Sequence, residues 1–149
     1  MIKPEKPITI LMADDDKDDQ LLVREALGEV LENHELRCVC DGVELLDYLR
    51  GRSPYADEAA APRPDLILLD LKMPRKDGRE VLRDIKQDPD FKQIPIVALT
   101  TSTAPDDIHF IYRMGANSYI TKPPTFDGLI DVMDVLCKYW FQVVQLPSV

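Results

Sequence analysis

A chain of 149 residues with 45 % apolar and 30 % charged residues can bury one compact core, which sets aside the disordered and fibrous classes. Its formal net charge of −9 disfavours nucleic acid as a partner, because affinity for a phosphate backbone draws on clustered Lys and Arg. No apolar run approaches a membrane span and residues 1–7 lack the long apolar stretch of a secretory signal, so a cytoplasmic protein that does not enter a membrane is expected. Cys38, Cys40 and Cys137 cannot all pair with one another, and they read as reduced, structural thiols.

Along the chain, short apolar runs alternate with longer segments of helical period, the pattern of βαβ units. Ile8 to Ala13 reads as a buried strand. A helix follows from about Lys17 to Glu32, with Leu22, Val23, Ala26, Leu27, Val30 and Leu31 forming a broad apolar face and Asp residues crowding its start. Leu36 to Cys40 is expected as a second strand and Val43 to Leu49 as a second helix. Asp65 to Leu69 forms a third strand whose Leu/Ile run indicates burial on both faces and hence parallel pairing. Gly78 to Asp88 gives a third helix, Ile94 to Leu99 a fourth strand, and Asp106 to Met114 a fourth helix stopped by Gly115. Tyr119 and Ile120 mark a fifth strand, and a last helix runs from Phe126 to about Gln145. The fold class is α/β: a doubly wound, five-stranded parallel sheet with five helices. The segment Gly51 to Pro64 is long for a connection in such a unit and is assigned to a surface loop without chemistry.

In open α/β sheets ligands collect beyond the carboxyl ends of the strands. Strand one ends in Asp14 and Asp15, strand three in Asp70, strand four in Thr100, and Lys122 follows strand five. Singly, each has an ordinary explanation: the acids from Asp14 to Asp19 as helix N-terminal charges, Thr100 as a cap, Lys122 as a solvated base. Capping does not explain why acid, hydroxyl and amine each stand at the same end of a different strand. Gathered carboxylates repel, by roughly 4 kcal/mol for unit charges about 4 Å apart at an effective dielectric near 20, so a positive partner is required. Oxygen ligands without nearby His or Cys suit Mg²⁺, and the acid run lacks the spacing of a calcium-binding EF-hand. A carboxylate beside such a metal can attack phosphorus to form an aspartyl phosphate, with Lys122 and the Thr100 hydroxyl contacting the equatorial oxygens. No phosphate-binding glycine loop is present, so a nucleotide is not the expected donor.

The stretches ILMADDD, LILLDLKMPRKDG, IVALTTS and GANSYITKPP, in this order and spacing, resemble the response-regulator receiver domain, and the likeness covers about Ile8 to Trp140. The resemblance implies a CheY-like sheet of strand order 2-1-3-4-5. It makes Asp70 the phosphoacceptor, Asp14 and Asp15 the acid pair that organises Mg²⁺, and Lys72 the donor of a backbone carbonyl to the metal. Thr100 and Lys122 take the phosphate-sensing roles and Tyr119 stands at the switch aromatic. Two positions depart from the common pattern. Lys72 stands where Asn is frequent, and it and Ser102 occupy positions that influence acyl-phosphate lifetime; Thr101 is bulkier than the usual Ala. The resemblance further implies that phosphorylation shifts a pre-existing equilibrium, with Thr100 moving to the phosphoryl group and Tyr119 turning inward. It also makes Lys122–Pro123 a candidate cis peptide, against a general cis frequency of about 5–6 % for X–Pro bonds.

The chain ends shortly after the last receiver helix, so output is expected through contact with another protein and not through an appended domain. That helix, roughly 30 Å long from Phe126 to Gln145, should overhang the sheet. It carries one apolar stripe of Leu129, Met133, Leu136 and Trp140 and a second of Ile130, Cys137, Phe141 and Val144, more than one sheet face needs, and a symmetric homodimer through this face is expected. The stretches PRPDLILLDL and PRKDGREVL, the long loop and the terminal KYW…LP most resemble the small single-domain regulators that work with bacterial and cyanobacterial phytochromes. The implied partner is a histidine kinase, in this subfamily a light-sensing one. His34 and His109 lack the context of a phosphodonor. Two other readings use the same residues: a haloacid-dehalogenase-type phosphatase, which needs a second Asp where this chain has Lys72, and a scaffold that keeps the fold without taking phosphate. The complete set of site residues favours a signalling switch over both, and an enzyme is not expected.

Overall fold

The computed structural model describes residues 1–57 and 59–147. Eleven elements follow one another: β1 (Ile8–Ala13), α1 (Lys17–Val30), β2 (His34–Val39), α2 (Gly42–Arg50), β3 (Leu66–Leu69), α3 (Gly78–Gln87), β4 (Ile96–Thr100), α4 (Pro105–Arg113), β5 (Ser118–Thr121), α5 (Phe126–Lys138) and a closing π-helical turn (Tyr139–Val143). The strands form one parallel sheet in the order β2-β1-β3-β4-β5, as the resemblance implies.

The two-residue period of the strands sorts their side chains into two cores. Leu11, Ala13, Ile67, Leu69, Ile96 and Ala98 face α2, α3 and α4, where Leu45, Val81, Leu82, Ile85 and Ile111 are buried. Ile10, Met12, Leu66, Leu68, Val97 and Leu99 face α1 and α5, against Val23, Ala26, Leu27, Leu129, Met133 and Leu136. Because both faces are covered, β3 and β4 are buried at every position, and this is why they read as unbroken apolar runs. The first three helices begin at side-chain caps, Asp16 for α1, Asp41 for α2, and Asp77 with Glu80 in a capping box for α3, whereas α4 begins at Pro105 without one.

Several boundaries differ from the sequence expectation for identifiable reasons. Strand β2 begins at His34 because polar His34 and Glu35 pair with Ile8 and Thr9 at the sheet edge. Strand β4 begins at Ile96, after Pro95, which has no N–H for a ladder. Helix α1 stops at Val30 because Ile2 forms a parallel bridge with Leu31 and accepts the Glu32 N–H at 2.8 Å. The long loop before β3 is tied down by the Tyr48 hydroxyl, which donates to the Pro62 carbonyl at 2.8 Å, while Glu58 lies outside the described residues. Among the described residues the cis X–Pro bond is Ser53–Pro54; Lys122–Pro123 is trans, the form that tertiary amides generally favour.

The last helix also corrects its expected division of labour. Both anticipated stripes, apart from Val144, pack on the domain's own core: Leu129, Met133, Leu136 and Cys137 are buried, and Ile130, Trp140 and Phe141 lie against them. The apolar side chains left exposed are Val135, Tyr139 and Val143, four residues apart on a third line.

Candidate functional site

Register decides which side chains meet. Ala13 pairs with Leu69, so Asp14 and Asp70 leave adjacent strands side by side. Asp14 is fully buried and tightly held: the Asp16 N–H donates to its Oδ1 at 2.9 Å, and Gln20 Nε2 donates to its carbonyl at 2.6 Å. Asp70 is also buried; its N–H donates to the Ala13 carbonyl, and its Oδ1 accepts from the Leu71 N–H at 2.7 Å. Asp15 is exposed at the rim. Each of Asp14, Asp15 and Asp70 places a carboxylate oxygen within 4.8 Å of the others.

Lys122 arrives from the opposite edge. Its N–H donates to the Thr100 carbonyl, and its Nζ lies 2.7 Å from Asp14 Oδ2, 2.7 Å from Asp19 Oδ2 and 3.4 Å from Asp70 Oδ2. Burial works against the ammonium charge, but the hydrogen bonds to Asp14 and Asp19 and the nearby Asp70 outweigh it and raise the Lys122 pKa above its ordinary value. For Asp14 burial dominates and pushes its pKa up, opposed by the Lys122 ammonium and the Asp16 N–H. The Thr100 hydroxyl is fully buried with no hydrogen-bond partner among the described residues, a condition that costs about 1–3 kcal/mol.

The β3–α3 loop is pinned at both ends. The Gly78 N–H donates to the Leu71 carbonyl and the Gly42 N–H to the Lys76 carbonyl, each at 2.9 Å. Between them Arg75 adopts a left-handed φ of 62° and grips Asp41 with two guanidinium hydrogen bonds of 2.8 and 3.1 Å. Burial works against the Asp41 charge, yet the Arg75 bonds and the α2 N–H groups hold its carboxyl below the usual range. Lys72 is exposed and lines an open cleft with Asp15, Asp77, Arg79 and Asp107.

On the other side the Tyr119 hydroxyl donates to the Ser102 carbonyl at 2.7 Å, so this ring is turned inward to the β4–α4 loop. The Ser102 hydroxyl donates to Asp107 Oδ2 at 2.6 Å, and Asp107 in turn lies 3.3 Å from Arg79. His109 is exposed on α4 and His34 starts β2, at the end of the sheet away from Asp14.

The structure brings Asp14, Asp15, Asp70 and Lys122 together, and Thr100 closes β4 beside them with its carbonyl accepting the Lys122 N–H. Asp19 and Gln20 were not expected in the site, since Asp19 reads as a helix-end charge; the signal available was its place three residues after the Asp16 cap, where a first-turn side chain can turn back over the strand ends. Four carboxylates here face one ammonium, and every candidate donor is oxygen, a set that fits a hard divalent cation.

Comparison with known proteins finds likeness over nearly the whole chain. The chain is 42 % identical over 142 residues to response regulator Rcp1 of Synechocystis, covering 95 % of each chain. The phosphorylated cyanobacterial phytochrome response regulator RcpA superposes with a TM-score of 0.88 at 44 % identity, over 95 % of this chain and 99 % of that one. The Mn²⁺-bound form of Rcp1 gives 0.85 at 42 % identity, over 95 % and 100 %. With the signature of the response regulator receiver domain matched across residues 10–134, the chain belongs to the response regulator receiver family.

Proposed function

We propose that Asp70 accepts a phosphoryl group from a histidine kinase and that the chain, acting as a single receiver domain with its core at about residues 8–140, changes its protein contacts as a result. The observation that carries this reading is the convergence of three carboxylates and one lysine beyond one end of the sheet, where β4 ends in a buried Thr100 hydroxyl with no partner among the described residues. A Mg²⁺ ion would be held by Asp14, Asp15, Asp70 and the Lys72 carbonyl, and would neutralise charge on the carboxylates and on the incoming phosphoryl oxygens. In the transfer an Asp70 oxygen forms the new O–P bond while the N–P bond of the donor phosphohistidine breaks, leaving its electron pair on the imidazole. Lys122, already within reach of Asp70, meets one phosphoryl oxygen, and the Thr100 hydroxyl finds in another the acceptor it lacks.

The names of its relatives support a phytochrome-type kinase as the partner, in keeping with a switch that resides in the cytoplasm. No described helix is long and apolar enough to cross a membrane. Val135 and Tyr139 border a groove with Ile120 and Trp140, and together with exposed Val143 they support self-association through α5.

Intact mass after incubation with acetyl phosphate and Mg²⁺ tests the chemistry. One added phosphoryl group, absent in Asp70→Asn and with EDTA, is the expected result; a folded, metal-binding wild type that gains no mass supports the scaffold reading instead.

A further inference from the structure

We infer that Asp19 is a positioning residue for phosphoryl transfer: it fixes the Lys122 ammonium so that its remaining N–H is directed at Asp70 and at the group Asp70 receives. The inference rests on the proposed acceptor role of Asp70 and adds a residue to that site.

Asp19 is the third residue of α1, and its backbone N–H is capped by Asp16 Oδ1 at 3.2 Å, which fixes the turn from which its side chain projects. Its Oδ2 lies 2.7 Å from Lys122 Nζ, as close as Asp14 and closer than Asp70 at 3.4 Å. An ammonium carries three N–H bonds in a tetrahedral arrangement. With two of them satisfied by Asp14 and Asp19, the direction of the third is set, and it falls on the side of Asp70. A lysine chain otherwise has four rotatable bonds and loses much conformational freedom when it is ordered. Asp14 alone leaves Nζ free to rotate about a single contact; Asp19, on a different element, supplies the second anchor. A helix N-terminus favours a carboxylate for itself, so a first-turn acid needs no partner to be stable there. Asp18, its neighbour in the same turn, is exposed, and no side-chain partner is found for it among the described residues. The two acids therefore share one helix-end environment and differ in the contact to Lys122.

That difference makes the test. Rates of phosphorylation by acetyl phosphate with saturating Mg²⁺ are compared for wild type, Asp19→Asn, Asp19→Glu and Asp18→Asn. In parallel, the Lys122 ammonium is followed by ¹H–¹⁵N correlation spectroscopy without phosphodonor, where a hydrogen-bonded ammonium exchanges slowly enough to be seen. Asp19→Asn should slow phosphorylation by about three- to tenfold, which corresponds to about 0.6–1.4 kcal/mol in the barrier. It should also broaden or shift the Lys122 resonance. Asp19→Glu should recover part of both, and Asp18→Asn should leave both as in wild type. Equal slowing by Asp18→Asn would reduce Asp19 to a helix-end charge, and an unchanged rate or an unchanged Lys122 resonance in Asp19→Asn would overturn the positioning role. If wild type itself takes no phosphoryl group, the acceptor role of Asp70 falls, while the resonance still decides whether Asp19 orders Lys122.

Discussion

Gly78→Ala separates two effects of opposite sign. Gly78 is the first residue of α3, where alanine is the better helix former by up to about 1 kcal/mol. A Cβ at this position, however, would lie 2.7 Å from Leu71 Cα and closer still to the Asp70 carbonyl oxygen. Both neighbours are backbone, so no side-chain rotation relieves the clash; the β3–α3 loop must move as a unit, which puts the cost at the upper end of the about 1–3 kcal/mol typical of overpacking. The steric cost wins, leaving a net loss of about 2 kcal/mol or more, equivalent to a fall in Tm of about 4–8 °C for a chain of this size. Because the displaced backbone includes Asp70, phosphorylation by acetyl phosphate should slow in the same variant. Gly28→Ala in α1 supplies the contrast: nothing lies within 4 Å of its Cβ position, so only propensity acts, and stability should rise by about 0.5–1 kcal/mol. Thermal and urea unfolding read both variants. A Gly78→Ala protein that melts within about 1 °C of wild type and phosphorylates normally would refute the close-packing argument.

The Asp41–Arg75 pair gives a pH dependence. The folded Asp41 carboxyl titrates below its unfolded value, so its contribution is fully present above the unfolded pKa and is lost as pH falls through the lowered folded value. Asp41→Asn keeps a good cap but removes the charge, so its difference in stability from wild type, measured by urea unfolding across the acid range, should shrink toward low pH; a constant difference would show that the charge is not the source. Tyr139→Glu places a charge on the exposed apolar line of α5 and should shift sedimentation from dimer to monomer while leaving Asp70 phosphorylation intact; a wild type that sediments as a monomer refutes the dimer.

The fold was legible because its signal is redundant: five apolar runs, each followed by a helical period, leave one architecture, and β3 and β4 carry burial on both faces in their composition. The placement of Asp14, Asp70 and Thr100 was legible for a related reason, since each is the polar residue at the end of a recognisable strand or just beyond it. Features that depend on distant pairing were not. Asp19 lies over a hundred positions from Lys122; its place three residues after the Asp16 cap turns it toward the strand ends, but nothing near it in sequence names the lysine it meets. The division of α5 misled because the apolar stripes of a helix show what is available to be buried and not how far its neighbours reach. Here α1 and the sheet cover both anticipated stripes apart from Val144, and the exposed line begins at Val135.

Ser102 joins the switch region through two different parts of itself. Its carbonyl receives the Tyr119 hydroxyl, while its side chain binds Asp107. Any amino acid at position 102 offers the same carbonyl, so the side chain there can be exchanged without removing the acceptor that the tyrosine uses. A substitution at position 102 would therefore remove the contact to Asp107 and leave the acceptor of the Tyr119 hydroxyl in place. The inward position of the Tyr119 ring is thus held by a main-chain acceptor that no substitution at position 102 short of proline's backbone effects removes, whereas the tie to α4 depends on the side chain there.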